Sequence, residues 1–227
     1  DDEPFEAIVS NPPYSIKWDG EANPLLINDP RFAPAGVLAP KSKADLAFTM
    51  HILHWLAVNG TAAIVEFPGV LYRGGAEQKI RQYLIDNNYV DAVIQLPPDL
   101  FFGTTIATCI IVLKKSKSDN ATLFIDASAE FTRNGNKNKL ASAHRQKILD
   151  AFTAREHIDH FARLVDNSEI AENGYNIAVS SYVEQVDTRQ AVDITALNAE
   201  IAAIVTRQMQ LREAIEAIVA DLEGAAA

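Results

Sequence analysis

The segment FEAIVSNPPY, residues 5–14, joins an apolar run to two consecutive prolines. Residues 5–9 have the apolar and partly β-branched composition of a buried strand. Pro12 and Pro13 end this strand, because neither residue can donate a backbone hydrogen bond to a neighbouring strand. In open α/β sheets, ligands bind just beyond the carboxyl ends of the strands. The segment therefore predicts a strand with a candidate site at its end.

Strand and helix patterns alternate after this segment. The spacing of apolar residues predicts helices over 43–58 and 76–87, the first of them ending at Asn59-Gly60. Apolar and β-branched runs predict further strands over 61–67, 90–96, 107–113 and 123–125. This alternation favours a mostly parallel sheet with helices on both faces. A short loop joins the last two strands, so we expect them to be antiparallel neighbours.

The character of the sequence changes near residue 130. A polar run over 134–139 is followed by a predicted helix over 142–164 and a predicted strand over 175–183. We therefore expect an α/β fold whose sheet is partial, Rossmann-like and mostly parallel, with an antiparallel last strand. A helical C-terminal region with a long heptad helix follows that sheet.

The long helix carries a heptad pattern. Its apolar positions alternate in spacing between three and four residues, with a single polar residue, Gln208, among them. The positions are Ile194, Leu197, Ile201, Ile204, Gln208, Leu211, Ile215, Ile218 and Leu222. Such a helix is about 45 Å long, at roughly 1.5 Å per residue. It packs either in a C-terminal bundle of its own or against another chain. The second interpretation is favoured, because so long a helix extends beyond a compact domain, and Gln208 would then set the register.

Composition excludes several classes of protein. The chain has 227 residues, of which 48% are hydrophobic and 22% charged, so it is neither disordered nor collagen-like. With 30 acidic and 20 basic residues its net charge is -10, so binding to DNA requires a local basic patch or a basic partner. The single Cys109 excludes a disulfide framework and a cysteine-rich zinc site.

The same features indicate where the chain works. A reducing, cytoplasmic location fits the single cysteine, and no apolar run reaches the ~18 residues of a membrane helix. The N-terminus lacks the basic start and apolar core of a signal peptide. A strand that begins almost at residue 1, without an initiator Met, leads us to expect a later part of a longer protein.

The tetrapeptide Asn11–Tyr14, close to the end of the first strand, suits the binding of a planar amino group. Asn11 offers a side-chain carbonyl oxygen, and Pro12 offers a backbone carbonyl oxygen without a competing N–H. Two such acceptors draw the amino hydrogens out of the ring plane, which frees the nitrogen lone pair for attack on a methyl group. Tyr14 offers an aromatic face for stacking. The alternative is an ordinary turn, since Asn-Pro and Pro-Pro are common in loops.

SNPPY after a short apolar strand resembles the motif of amino-group methyltransferases that use S-adenosylmethionine. The segments that follow, KADLAFTMHILHWL, GTAAIVEFPGVLYRGGAEQKIRQYLI, VDAVIQLPPDLFFGTTIATCIIVLKK, LFIDAS and NKNKL, extend the likeness in order. From residue 3 to about residue 183, the chain resembles the modification subunit of type I restriction-modification systems. The resemblance implies transfer of a methyl group to N6 of an adenine that is flipped out of the DNA duplex.

The resemblance also implies roles for individual residues. The catalytic motif consists of Asn11, Pro12, Pro13 and Tyr14. By the resemblance, Asn11 and Pro12 would hold the amino group, and Tyr14 would stack on adenine. Phe101 or Phe102 would wall the other face of the base, and core packing is the alternative for each. Asn11 and Asp45 are candidates for contact with the cofactor, although an exposed or capping role suits Asp45 better. Arg133, Lys137 and Lys139 are candidates for contact with DNA phosphates.

One departure from the family pattern concerns the cofactor. The Gly-rich turn and the acidic ribose-binding residue expected upstream of NPPY are not found, and Gly74-Gly75 lacks the preceding strand that would make it such a turn. We therefore expect residues 1–130 to be the C-terminal part of a methyltransferase catalytic domain, with an incomplete S-adenosylmethionine site. Residues 131–190 would connect it to a docking helix over 191–227.

The expected partners follow from the resemblance. They are DNA, a specificity subunit bound through residues 193–223, a second modification subunit and a restriction subunit, with no membrane. Two other functions remain open: a protein glutamine N5-methyltransferase, whose substrate amide presents the same planar NH2, and a non-catalytic interaction fragment. His51 and His54 lie three residues apart but lack a third ligand, so we expect no metal site.

Overall fold

The computed structural model describes residues 3–186 and 193–225. These residues belong to two compact units, one ending at Val186 and the other containing the C-terminal helix, and each is described by itself.

A six-stranded mixed sheet forms the centre of the first unit. Its spatial order is β1 (Phe5–Ser10), β2 (Leu56–Glu66), β4 (Cys109–Lys114), β3 (Val90–Gln95), β5 (Ala121–Asp126) and β8 (Ala162–Asp166). Strands β1, β2, β3 and β5 run in one direction, whereas β4 and β8 run in the other. A separate hairpin consists of β6 (Thr132–Asn134) and β7 (Lys137–Lys139).

Four helices belong to this unit: α1 (Asp45–Trp55), α2 (Ala76–Asp86), α3 (Ser142–Ala154) and α4 (Asn167–Glu172). Two apolar clusters form its core, one including side chains of α1 and α2 and the other including Ala151 of α3. Phe124 belongs to the first cluster, whereas Leu123 and Ile125 belong to the second. Because successive side chains of a strand point to opposite faces, the clusters lie on the two faces of the sheet, as predicted.

The predicted pairing of the last two strands is wrong. Strand β3 lies between β4 and β5, and β4 pairs antiparallel with both β2 and β3. The loop from β4 to β5 crosses the start of β3, where the Lys117 ammonium donates to the Val90 carbonyl at 2.7 Å and to Asn88 Oδ1 at 2.9 Å. These two bonds hold the crossing loop in place, and the other edge of β3 pairs with β5.

The predicted end of the first helix at Asn59-Gly60 is also wrong. Helix α1 ends at Trp55, and β2 begins at the next residue and runs through Gly60. A Cβ atom on Gly60 would lie 2.9 Å from the carbonyl oxygen of Phe5. The glycine is therefore needed for the close approach of β1 and β2, rather than for a helix stop.

Two predictions beyond residue 130 need correction. The helix predicted over 142–164 ends at Ala154, because Arg155 adopts a left-handed conformation with φ +53° and donates to Asp91 Oδ1 at 2.9 Å. Of the residues that remain in that segment, 162–164 belong to β8. The strand predicted over 175–183 contains a short 3-10 turn, and Tyr182 there stacks on Phe124 with ring centroids 4.3 Å apart.

The described residues of the second unit, 193–225, include helix α5 (Ile194–Ala225), in the place where the heptad pattern predicts it. Asp193 caps its start, since Oδ1 accepts from the N–H groups of Thr195 and Ala196 at 2.9 and 3.0 Å. Every residue of the predicted seam is exposed. Among the described helices, none is both long and apolar enough to cross a bilayer.

Candidate active site at the carboxyl edge of the sheet

Four parallel-running strands bring their carboxyl ends to one edge of the sheet. Glu66 at the end of β2 pairs with Cys109 at the start of β4, and Cys109 also pairs with Gln95 at the end of β3. Gln95 in turn pairs with Asp126 at the end of β5. The segment that follows β1, residues 11–14, therefore shares this edge with the loops over 67–75 and 96–108. The predicted catalytic motif and the predicted aromatic residues lie on the same edge.

The catalytic motif is internally bonded. The Tyr14 hydroxyl donates to Asn11 Oδ1 at 2.7 Å, which fixes the orientation of the Asn11 amide. A carbonyl oxygen has two lone pairs, so Oδ1 can still accept a second hydrogen. Asn11 is exposed and Tyr14 is half-buried. The motif thus presents an oriented acceptor beside an accessible aromatic ring.

A buried carboxylate holds the turn that ends the motif. Ser15 adopts φ +51°, a left-handed conformation that is uncommon for a residue with a side chain. Its backbone N–H donates to Asp45 Oδ1 at 2.7 Å. Asp45 is the first residue of α1 and is only 1% exposed. A charge-assisted bond to backbone is stronger than a neutral one, so Asp45 stabilises this strained turn. Because Asp45 is buried and bonded to Ser15, we interpret it as a residue that supports the motif.

Glu66, at the end of β2, lies near Tyr14 and was missed by the sequence analysis. It is fully buried, and the Thr49 hydroxyl donates to its Oε1 at 2.9 Å. Burial, followed by the nearby Asp45, raises the pKa of Glu66 to about 8 in spite of the Thr49 hydrogen bond. Burial also raises the pKa of Tyr14, with further contributions from neighbouring Glu66 and Cys109. The motif therefore has a neighbouring carboxyl group that is largely protonated at neutral pH.

The two candidate aromatic residues have different environments. Phe101 is half-buried and packs against the second apolar cluster. Phe102 is 94% exposed. The core-packing alternative therefore describes Phe101, and Phe102 is the ring that remains free to meet a ligand.

Two of the three candidate DNA-contacting residues bind the aromatic loop. Lys137 Nζ donates to the carbonyl oxygens of Phe101 and Thr104 at 2.9 and 3.0 Å. Arg133 Nη1 donates to Asp99 Oδ2 at 3.1 Å. Lys139 is exposed on the same hairpin.

Asn138, between these residues, is buried and was also missed. It follows a run of Asn, Gly and Lys in which no periodicity distinguishes one polar residue from the next. Glu66 did carry a local signal, since it is the one charged residue in the apolar segment TAAIVEF.

The described residues do not form the Gly-rich turn expected for S-adenosylmethionine. Gly74-Gly75 follow the 3-10 turn Pro68–Leu71 rather than a strand. Gly75 precedes α2 with φ +70°, so the pair makes the turn that starts this helix. Asp45 faces inward, toward Ser15.

Comparison with known proteins identifies the family. Residues 1–191 match the N-6 DNA Methylase family. The chain is 48% identical over 220 residues to the type I restriction enzyme MpnII methylase subunit of Mycoplasma pneumoniae, covering 96% of this chain and 40% of that protein. It is 31% identical over 229 residues to the type I restriction enzyme MjaVII methylase subunit of Methanocaldococcus jannaschii, covering 95% of this chain and 38% of that protein.

A solved structure agrees with these relatives. The methyltransferase subunit of a type I restriction-modification system from Streptococcus thermophilus superimposes with a TM-score of 0.78 at 47% identity, over 81% of this chain and 39% of that chain. This likeness confirms the predicted methyltransferase-type sheet. The chain spans about two fifths of the length of the relatives that it matches. Given a family match over most of its length, the chain belongs to the N-6 DNA Methylase family.

Proposed function

We propose that this chain supplies the adenine-binding part of a DNA N6-adenine methyltransferase in a type I restriction-modification complex. The observation that carries the proposal is the Asn11–Tyr14 motif, which is oriented by its internal hydrogen bond and held on Asp45 at the carboxyl edge of the sheet. The methylase subunits among its relatives support the same class of function.

The residues of the motif would bind and orient the target base. Asn11 Oδ1 and the Pro12 carbonyl oxygen accept the two hydrogens of the exocyclic amine, which leaves the nitrogen lone pair available. Pro13 stiffens the turn, and Tyr14 stacks on one face of the adenine. The base must leave the duplex to reach this pocket. A strong general base is unnecessary, because the amine proton becomes acidic only after methylation.

S-adenosylmethionine supplies the methyl group when bound. Asn11, at the end of β1, is the residue that we propose to lie beside that cofactor, whereas Asp45 acts through Ser15. We expect this chain alone to be inactive, because its sequence lacks the Gly-rich motif. Titration of S-adenosylmethionine into the 227-residue chain, followed by calorimetry, is expected to give no saturable heat. Clear saturable binding would mean that the chain holds a complete cofactor site.

The proposed partners are DNA, a specificity subunit, a second modification subunit and a restriction subunit. A net charge of -10 favours DNA affinity that comes largely from partners. The exposed seam of α5 supports a docking role for this helix toward the specificity subunit. Leu211→Asp on the seam is expected to abolish co-purification of that subunit, as is deletion of residues 193–227. Arg212→Asp, on the next position, controls for the acidic substitution, and unchanged assembly in all variants would refute the docking role.

The methyltransferase proposal is tested in the complete subunit, assembled with its specificity subunit and DNA. Formation of N6-methyladenine is measured by mass spectrometry of digested DNA. Asn11→Ala is expected to lower the rate at least a hundredfold, whereas Asn28→Ala, at an exposed position in the following loop, controls for loss of an asparagine. Unimpaired Asn11→Ala would favour a non-catalytic fragment. Methylglutamine in a protein, without N6-methyladenine, would favour the glutamine methyltransferase.

A further inference from the structure

The β6–β7 hairpin binds the loop that carries Phe101 and Phe102. Lys137 Nζ donates to the carbonyl oxygens of Phe101 and Thr104. Asn138 donates twice, from Nδ2 to the Pro98 carbonyl at 2.9 Å and from its backbone N–H to the Asp99 carbonyl at 3.0 Å. Four backbone carbonyls within residues 98–104 therefore accept hydrogen bonds from two consecutive residues of β7.

A further ion pair supports the same contact. Arg133 Nη1 lies 3.1 Å from Asp99 Oδ2 and also donates to Asn138 Oδ1 at 3.0 Å. Asn138 is 5% exposed, so its donors and acceptor are engaged within the protein. A buried amide that loses its partners is strongly unfavourable, and the hairpin is thereby tied to one conformation of the loop.

The loop itself has a conformation that needs such support. Asp99 and Gly103 both adopt positive φ, of +57° and +79°, on either side of the two phenylalanines. Only Gly103 accepts this conformation without strain. Phe101 points into the second apolar cluster, and Phe102 stands exposed beside it. The hairpin bonds thus present one aromatic ring to solvent on a loop whose backbone is held at both ends.

We infer that Lys137 and Asn138 are positioning residues, which hold the aromatic loop so that the Phe102 ring meets the face of a nucleobase. This inference rests on the proposed function for the nature of the ligand. It replaces the phosphate contact expected for Lys137, whose ammonium is directed at two backbone carbonyls. Pre-ordering of the ring reduces the entropy lost when a base stacks on it.

The conformation of the loop can be tested without methyltransferase activity. Chymotrypsin is added to the 227-residue chain, and cleavage after Phe101 and Phe102 is followed by mass spectrometry. Lys137→Met keeps the length of the side chain but removes its donors, and it is expected to raise the cleavage rate at least fivefold. Lys139→Met removes the same charge from the same hairpin and is expected to leave this rate unchanged. Equal rates in both variants would overturn the positioning role.

The role in base recognition is tested in the complete subunit with its partners and DNA. Lys137→Met is expected to lower kcat/KM at least tenfold, while the dependence of log KM on log salt concentration keeps its slope. Loss of a phosphate contact would instead reduce that slope by about 0.9, and this result would refute the inference.

Phe102→Ala, at a position too exposed to affect folding, is expected to lower kcat/KM at least tenfold, and an unchanged value would also refute the inference. If the unmodified complex forms no N6-methyladenine, the proposed function fails, whereas the cleavage assay still decides whether the hairpin holds the loop.

Discussion

Replacement of Glu66 by Gln is expected to change how the stability of the first unit depends on pH. Glu66 is fully buried, and burial raises its pKa from an ordinary 4.5 to about 8. Between these values the folded protein holds a proton that the unfolded chain releases. Folding stability contributed by this group is therefore present at low pH and is lost as the pH rises toward 8.

The size of the effect follows from the same shift. One pKa unit corresponds to about 1.4 kcal/mol, so the unmodified protein is expected to lose roughly 3 to 4 kcal/mol from this group between pH 5 and pH 8. Glu66→Gln does not titrate, and its amide oxygen can still accept from Thr49. From pH 5 to pH 8, the free energy of unfolding of the variant should therefore rise relative to that of the unmodified protein by that amount.

Urea unfolding at pH 5, 6, 7 and 8 measures this difference. Both tryptophans, Trp18 and Trp55, belong to the first unit, so their fluorescence reports on it. Every other titratable side chain is the same in both proteins, so its contribution cancels in the comparison. Glu172→Gln, at an exposed position, controls for the loss of one acidic side chain. If the curves of Glu66→Gln and the unmodified protein run parallel from pH 5 to pH 8, the reasoning about buried Glu66 is refuted.

Three further substitutions test individual contacts by urea unfolding. Asp45→Ala leaves the N–H of Ser15 without its carboxylate and is expected to cost about 2 to 3 kcal/mol; a loss below about 0.5 kcal/mol would contradict the supporting role. Arg81→Met removes a buried guanidinium that donates to two backbone carbonyls and is expected to cost about 3 kcal/mol, and an unchanged midpoint would show that these bonds contribute little. Gly60→Ala places a Cβ atom within 3 Å of backbone and is expected to cost about 1 to 3 kcal/mol. Gly74→Ala is its matched control, because the nearest atom to that Cβ is 3.9 Å away; similar losses in both would argue against the close approach.

Features that depend on neighbouring residues could be predicted from the sequence. The apolar run that ends at two prolines correctly predicts strand β1, but the predicted burial of this strand is wrong, because β1 lies at the edge of the sheet and Val9 is 86% exposed. Helix α5 follows from its heptad pattern. The Asn-Gly pair shows the limit of such rules, since Gly60 lies within β2 and serves the packing of β1.

The residues of the candidate site also fall into two groups, those that could be predicted from the sequence and those that could not. The motif over 11–14 could be named from its residue types, and the pair Phe101 and Phe102 from the family resemblance, which does not say which of the two rings is exposed. The roles of Glu66, Lys137 and Asn138 could not, because each depends on a partner that is distant in sequence. A polar run such as NKNKL contains no periodicity that separates a buried amide from an exposed lysine.

Residue types and their order along the chain were enough to predict the class of the fold, the strand that carries the motif and the chemistry that the motif offers. Contacts in the folded chain establish that β3 separates β4 from β5, that the buried Glu66 carboxyl lies near Tyr14, and that Lys137 binds the aromatic loop. This difference arises because periodicity and turn residues are local properties of the chain. Strand order, burial of a charge and the partner of a long side chain are set by contacts between segments far apart in sequence.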